Sequence, residues 1–99
     1  HVLKSFNTVN FTENPEVFTF PKDEKITFIG HIDYNECSDP SGKMECLVVL
    51  TNTTTRWKLY CFDFVGQTSD IVTTGYKEYS GNGHAASVIY RGPGAMYIN

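Results

Sequence analysis

A chain of 99 residues with 40% hydrophobic and 19% charged side chains is long enough for one core and too apolar to be disordered. Eight Lys/Arg against eleven Asp/Glu leave a net charge of −3, which argues against nucleic acid as a partner, because nonspecific phosphate affinity needs clustered cations. The longest uninterrupted apolar run, Cys46 to Leu50, falls far below the about 20 residues that span a bilayer, so no membrane insertion is expected.

In chain order, the first expected strand runs from Val2 to Phe11, with Leu3 and Val9 on one face and Phe6 on the other. Asn14-Pro15 reads as a break, and Glu16 to Phe20 follows with Phe18 and Phe20 on one side. Pro21-Lys22-Asp23-Glu24 reads as a charged turn into Lys25 to Tyr34. There Ile26, Phe28, Ile32 and Tyr34 alternate with Thr27, Ile29, His31 and Asp33, the clearest period-2 pattern in the sequence. Gly30 within it suggests a bulge or a close approach to the backbone.

After the turn signal Asp39-Pro40-Ser41-Gly42, the apolar run from Met44 to Thr51 predicts a central strand buried on both faces. Asn52 to Thr55 reads as a loop. Arg56 to Val65 follows, with Trp57, Leu59 and Cys61 on one face and Lys58, Tyr60, Phe62 and Phe64 on the other. Asp70 to Tyr79 is more polar, is interrupted at Gly75 and is expected at a sheet edge. Ser80-Gly81-Asn82-Gly83 reads as a connection, before strands over Ala86 to Arg91 and Ala95 to Ile98 joined by Gly92-Pro93-Gly94.

Helix signals are nearly absent, whereas threonine occurs eleven times and Val, Ile, Phe and Tyr supply most of the apolar mass. The expected fold is a single all-β domain over residues 1–99, a small antiparallel β-sandwich or barrel of about seven or eight short strands. The immunoglobulin spacing of a cysteine, a core Trp and a distant second cysteine is not met, because Cys61 follows Trp57 by four residues only.

Cysteines and sequons set the expected compartment. Cys37 and Cys46 flank the strong turn, so antiparallel pairing of their segments would bring the two sulfurs within disulfide range; Cys61 is the alternative partner for either. Asn10-Phe11-Thr12 and Asn52-Thr53-Thr54 are acceptors for N-linked glycans. No signal peptide is visible at His1, where a mature chain would begin after cleavage. Together these features predict a secreted, extracellular protein.

The chemistry-bearing residues offer one catalytic alternative. His31, Glu45, Arg91 and His84 on one sheet face would supply acid, base and phosphate clamp for metal-free RNA cleavage. In residue types alone this set resembles small secreted ribonucleases, which implies a hydrolase built on His31 and His84. No spacing of His, Cys or Asp matches a metal site, no Gly-x-Ser-x-Gly occurs, and neither glycine-rich turn opens a helix as a phosphate loop does, so neither metal nor cofactor is expected. The aromatics point elsewhere. Seven Phe, six Tyr and one Trp exceed the needs of one small core face, and Tyr76, Tyr79, Tyr90 and Tyr97 cluster late in the chain. Tyrosine gives contact area at little rotamer cost, so these four are the candidate binding residues. The sequence therefore points to a noncatalytic recognition module, effector-, toxin- or ectodomain-like, that binds a protein through an aromatic sheet face or an edge strand. The alternatives are the ribonuclease-like hydrolase and a carbohydrate-binding module that stacks a glycan on the tyrosines.

Overall fold

The computed structural model describes residues 1–10, 12–33, 45–65, 70–90 and 96–99. They form eight strands and no helix: β1 (Val2–Asn7), β2 (Thr12–Thr19), β3 (Lys25–Asp33), β4 (Glu45–Asn52), β5 (Arg56–Asp63), β6 (Lys77–Asn82), β7 (Val88–Tyr90) and β8 (Met96–Ile98). A four-stranded antiparallel sheet, ordered β3-β4-β5-β6, carries a two-stranded hairpin on each face. The fold is therefore the expected all-β, sandwich-like architecture, built in three layers.

The layering follows from the apolar run in β4. Successive strand residues point to opposite faces, and only a strand covered on both sides can be apolar at every position. Cys46, Val48 and Leu50 face one core, shared with Leu59 and Cys61 of β5 and closed by Ala85, Val88, Met96 and Ile98 from the β7–β8 side. Val49 and Leu47 face the other core, with Tyr60 and Phe62, closed by Leu3, Phe18 and Phe20 from the β1–β2 side. Val48, Val49, Leu50, Leu59 and Phe62 are wholly buried, and each contributes about 1.5–3 kcal/mol by leaving water. The predicted faces of β5 hold, as does the pairing of Phe18 with Phe20.

Several expectations shift. Ile26 does not share a face with Phe28. The register steps from Ile26↔Thr51 to Phe28↔Leu50, so Thr27 is an extra, bulged residue that turns Ile26 into the opposite core. Gly30 is not the bulge; the Phe28 ring lies over it, 2.9 Å from where a Cβ would stand. The predicted break at Asn14-Pro15 is absent, because β2 runs through it at a register shift against β1, between the pairs Lys4↔Glu16 and Phe6↔Glu13, where the ladder needs no N–H from proline. The predicted strand from Asp70 reduces to a single bridge, Phe64↔Ile71, and the chain enters regular structure only after Gly75, whose φ of 68° breaks the extension.

β6 accordingly lies later than expected, and Ser80, Gly81 and Asn82 belong to it rather than to a connection. Gly81 is needed there as clearance, since a Cβ would meet the Trp57 indole at 2.6 Å. The strand stops at Gly83, at φ 86°. Among the described residues β6 is an edge strand, as the polar character of this region implied, and β3 is the other edge. Cys37 lies outside the described residues, and so does its predicted bridge to Cys46. Cys46 and Cys61 are buried thiols. They stand diagonally on one face, in the register Cys46↔Asp63 and Val48↔Cys61, which separates their Cα atoms by about 7–8 Å, beyond ordinary disulfide reach.

Candidate functional site

The two predicted histidines do not converge. His31 pairs with Leu47 and so faces the core closed by β1–β2. His84 precedes Ala85, which packs in the opposite core and is bonded to Asn52 at the far end of β4. From Leu47 to Asn52 is about 17 Å of extended chain. Two histidines on opposite faces at that separation cannot share a proton-transfer step, which corrects the ribonuclease-like arrangement. Glu45 does meet His31, with Oε1 3.7 Å from Nε2 at an exposed site, and the His31 ring stands edge-on to Phe64 at 5.7 Å. Arg91 lies outside the described residues.

The tyrosine platform is likewise not assembled. Tyr76 packs among Phe18, Tyr60 and Phe62, with ring centroids 5.2 to 5.6 Å away. Tyr79 and Tyr90 pack on the opposite core. Tyr97 alone is well exposed, at 60%, across from Ile89 on the outer face of the β7–β8 hairpin. A period-2 strand sends neighbouring tyrosines to different layers once both faces of the central sheet are covered.

What the fold does assemble is a groove. The β1–β2 hairpin seals Val49, Tyr60 and Phe62 but leaves the stretch beside Ile29 and Leu47 open. A cavity of about 480 Å³ lies there, walled by Leu3 and Val17 of the hairpin, by Ile29 and Leu47 of the central sheet, and by Phe64 and Ile71 at the isolated bridge. Ile29 is 53% exposed, in a position whose facing partner Val49 is buried. Lys4 and Asp70 give the lining one charge of each sign. Lys4 is held cationic by the hydrogen bond and charge of Glu13, whose Oε1 is 2.7 Å from its Nζ. The His31–Glu45 pair stands one step further along β3 and β4 from Ile29 and Leu47. An apolar body with a few polar groups of mixed sign suits binding, and the volume falls in the range of about 300–1,000 Å³ usual for ligand sites. The sequence does not show the groove, because its walls come from six separate segments whose residues, Leu3, Ile29 and Phe64 among them, read there only as members of single strand faces.

The strongest electrostatic feature lies away from the groove. Glu24, read as part of a charged turn, is 2% exposed. Its Oε1 accepts hydrogen bonds from Tyr60 Oη at 2.6 Å and Thr51 Oγ1 at 2.8 Å, and Lys58 Nζ donates to its Oε2 at 3.3 Å. Burial pushes the carboxyl pKa upward, but the bonds from Tyr60, Thr51 and Lys58 outweigh it, and the group is held below its ordinary value. Burial, reinforced by Glu24, pushes the Tyr60 hydroxyl well above the usual phenol range. Closed to any ligand, this cluster fixes the turn to the sheet.

The sequons divide in the same way. Asn10 is exposed at the tip of the β1–β2 hairpin. Asn52, expected in a loop, is the last residue of β4 and 5% exposed. Its Nδ2 donates to Thr27 Oγ1 at 2.8 Å and to the Ala85 carbonyl at 2.7 Å, while its Oδ1 accepts from the Ala85 N–H at 2.8 Å. Among the described residues no group of three His, Cys, Asp or Glu is placed to hold a metal ion. Comparison with protein-family models, with curated proteins and with solved structures yields no match.

Proposed function

We propose that this chain is an exported, noncatalytic recognition module that binds an extended segment of a protein partner, added as a strand along β3 with alternate side chains lowered into the adjoining groove. One observation carries the reading: Ile29 belongs both to a wall of the groove and to a strand that, among the described residues, pairs on one side only. An edge strand offers main-chain donors and acceptors in register, and a pocket beside it reads every second side chain of the added segment. The mixed charge of Lys4, Asp70 and the His31–Glu45 pair favours a peptide of alternating apolar and polar residues over a polyanion. This refines the sequence expectation: the edge lies at β3 and the contact surface is aliphatic, with Phe64 in place of the four tyrosines.

The test pans the immobilised chain against a displayed library of random peptides. Enrichment of sequences with apolar residues at alternate positions is expected. A synthetic peptide of that consensus should bind at least about tenfold more weakly to Ile29→Arg, equivalent to about 1.4 kcal/mol, and unchanged to Tyr97→Arg. No enrichment above background, or equal affinity for Ile29→Arg and the parent chain, would refute it.

A further inference from the structure

We infer that the chain accepts a single N-linked glycan, at Asn10, and that the second acceptor sequence at Asn52 is closed by the fold. The chemistry at both is the same. The side-chain Nδ2 bonds to the anomeric carbon of a diphosphate-linked oligosaccharide, the anomeric C–O bond breaks, the diphosphate leaves with the electron pair, and one amide proton passes to a base of the transferring enzyme. The product nitrogen keeps a single N–H and carries a bulky, hydrated group that must reach solvent.

Asn10 meets these demands. It is exposed, in the turn that follows β1, and Thr12 Oγ1 donates to its Oδ1 at 2.7 Å while the Thr12 backbone N–H donates to the same oxygen at 3.3 Å. The hydroxyl that defines the acceptor sequence is therefore engaged with the asparagine amide in the folded chain. Both acceptor bonds use the oxygen, so neither is lost when the nitrogen is substituted.

Asn52 fails them. Its Nδ2 spends two donors, on Thr27 Oγ1 and the Ala85 carbonyl, and a glycosylated nitrogen has only one to give. At 5% exposure there is no room for a sugar between β4 and the segment at Ala85, itself 2% exposed. A chain modified at Asn52 before folding cannot close this contact, so the folded, exported population lacks that glycan.

The experiment expresses the 99-residue chain behind a cleavable signal in a eukaryotic secretory host and measures intact mass before and after peptide N-glycosidase. One glycan is expected, released with conversion of residue 10 to aspartate. It should disappear in Asn10→Gln and in Thr12→Ala, persist in Thr12→Ser, and persist in Thr54→Ala, which removes the second acceptor sequence at an exposed residue without touching Asn52. Secreted protein that folds with a glycan on Asn52, or that carries none on Asn10, overturns the inference. Peptide binding plays no part in this readout, so its outcome is independent of the function proposed above.

Discussion

Replacing Glu24 by glutamine removes one charge from a buried cluster while keeping its shape, and the geometry fixes what should follow. Oε1 can still accept from Tyr60 and Thr51, but two charge-assisted bonds become neutral ones. The difference is about 1 kcal/mol for each. Lys58 loses a partner but keeps Glu78, 3.4 Å away and partly in water, so that contact changes stability by about 0–1 kcal/mol. The carboxylate no longer has to be desolvated, which offsets part of the loss. The net cost is about 2 kcal/mol, or a fall in Tm on the order of 10 °C for a domain of this size. Glu24→Ala should cost more, about 3–5 kcal/mol, because the Tyr60 and Thr51 hydroxyls are left buried without an acceptor.

The pH dependence carries the sign. Folding lowers the Glu24 pKa from its ordinary 4.5, so in acid the unfolded chain takes up the proton first. The stability that Glu24 contributes is therefore complete above about pH 5 and is lost as pH falls through the folded value. Denaturant titrations of both proteins at about pH 7 and about pH 3 should show the gap between parent and Glu24→Gln narrowing in acid. A gap that stays constant, or widens, would show that the carboxylate is not stabilised by its three donors, and the account of this turn would fail.

Asn52→Ala should destabilise the chain by about 2–4 kcal/mol, since the buried N–H and C=O of Ala85 lose their side-chain partners; urea midpoints measure it, and a loss below about 1 kcal/mol would count against the role assigned to this side chain. Gly81→Ala places a methyl within 2.6 Å of the Trp57 ring, which must swing away at a cost of about 1–3 kcal/mol. With one tryptophan in the chain, the emission of native Gly81→Ala should shift relative to the parent, and an unchanged spectrum would contradict the packing.

Much of the fold was legible because β-structure advertises its faces. The alternation in Arg56 to Val65 and the doubly apolar run in β4 led to the right buried sets without reference to a partner strand. Three of the misplacements share a cause: each turns on a contact distant in sequence. Nothing near Thr27 marks it as the bulged residue, since the extra position exists only relative to Thr51 and Leu50. Gly81 looked like turn punctuation, but its hydrogen is required by an indole on the adjacent strand. Glu24 sat among Pro, Lys and Asp as a solvated turn residue, and its donors come from β4 and β5. A charged residue in a turn is exposed by default, and no local pattern distinguishes the one that is inserted into the sheet.

The groove has a physical origin in the same distribution of contacts. Thr51 and Asn52 are consecutive, so they point to opposite faces of the central sheet. Thr51 binds Glu24, in the turn that links β2 to β3, and Asn52 binds Ala85, in the segment that links β6 to β7. The crossings between the central sheet and its two outer layers are thus fastened by directional polar bonds at one end of β4. Towards the other end, Leu47 meets the β1–β2 layer through the apolar cluster of Leu3, Phe18 and Phe20, and apolar contact sets no particular spacing. Two register shifts, at Val17 and at Asn14-Pro15, bend the β1–β2 hairpin locally. The side chains that wall the cavity there, Leu3, Val17, Ile29 and Leu47, are apolar because they belong to strands whose neighbouring positions are core. An open apolar groove at this place accords with the position of the β1–β2 layer's clamp, Glu24 on Thr51, at the opposite end of β4.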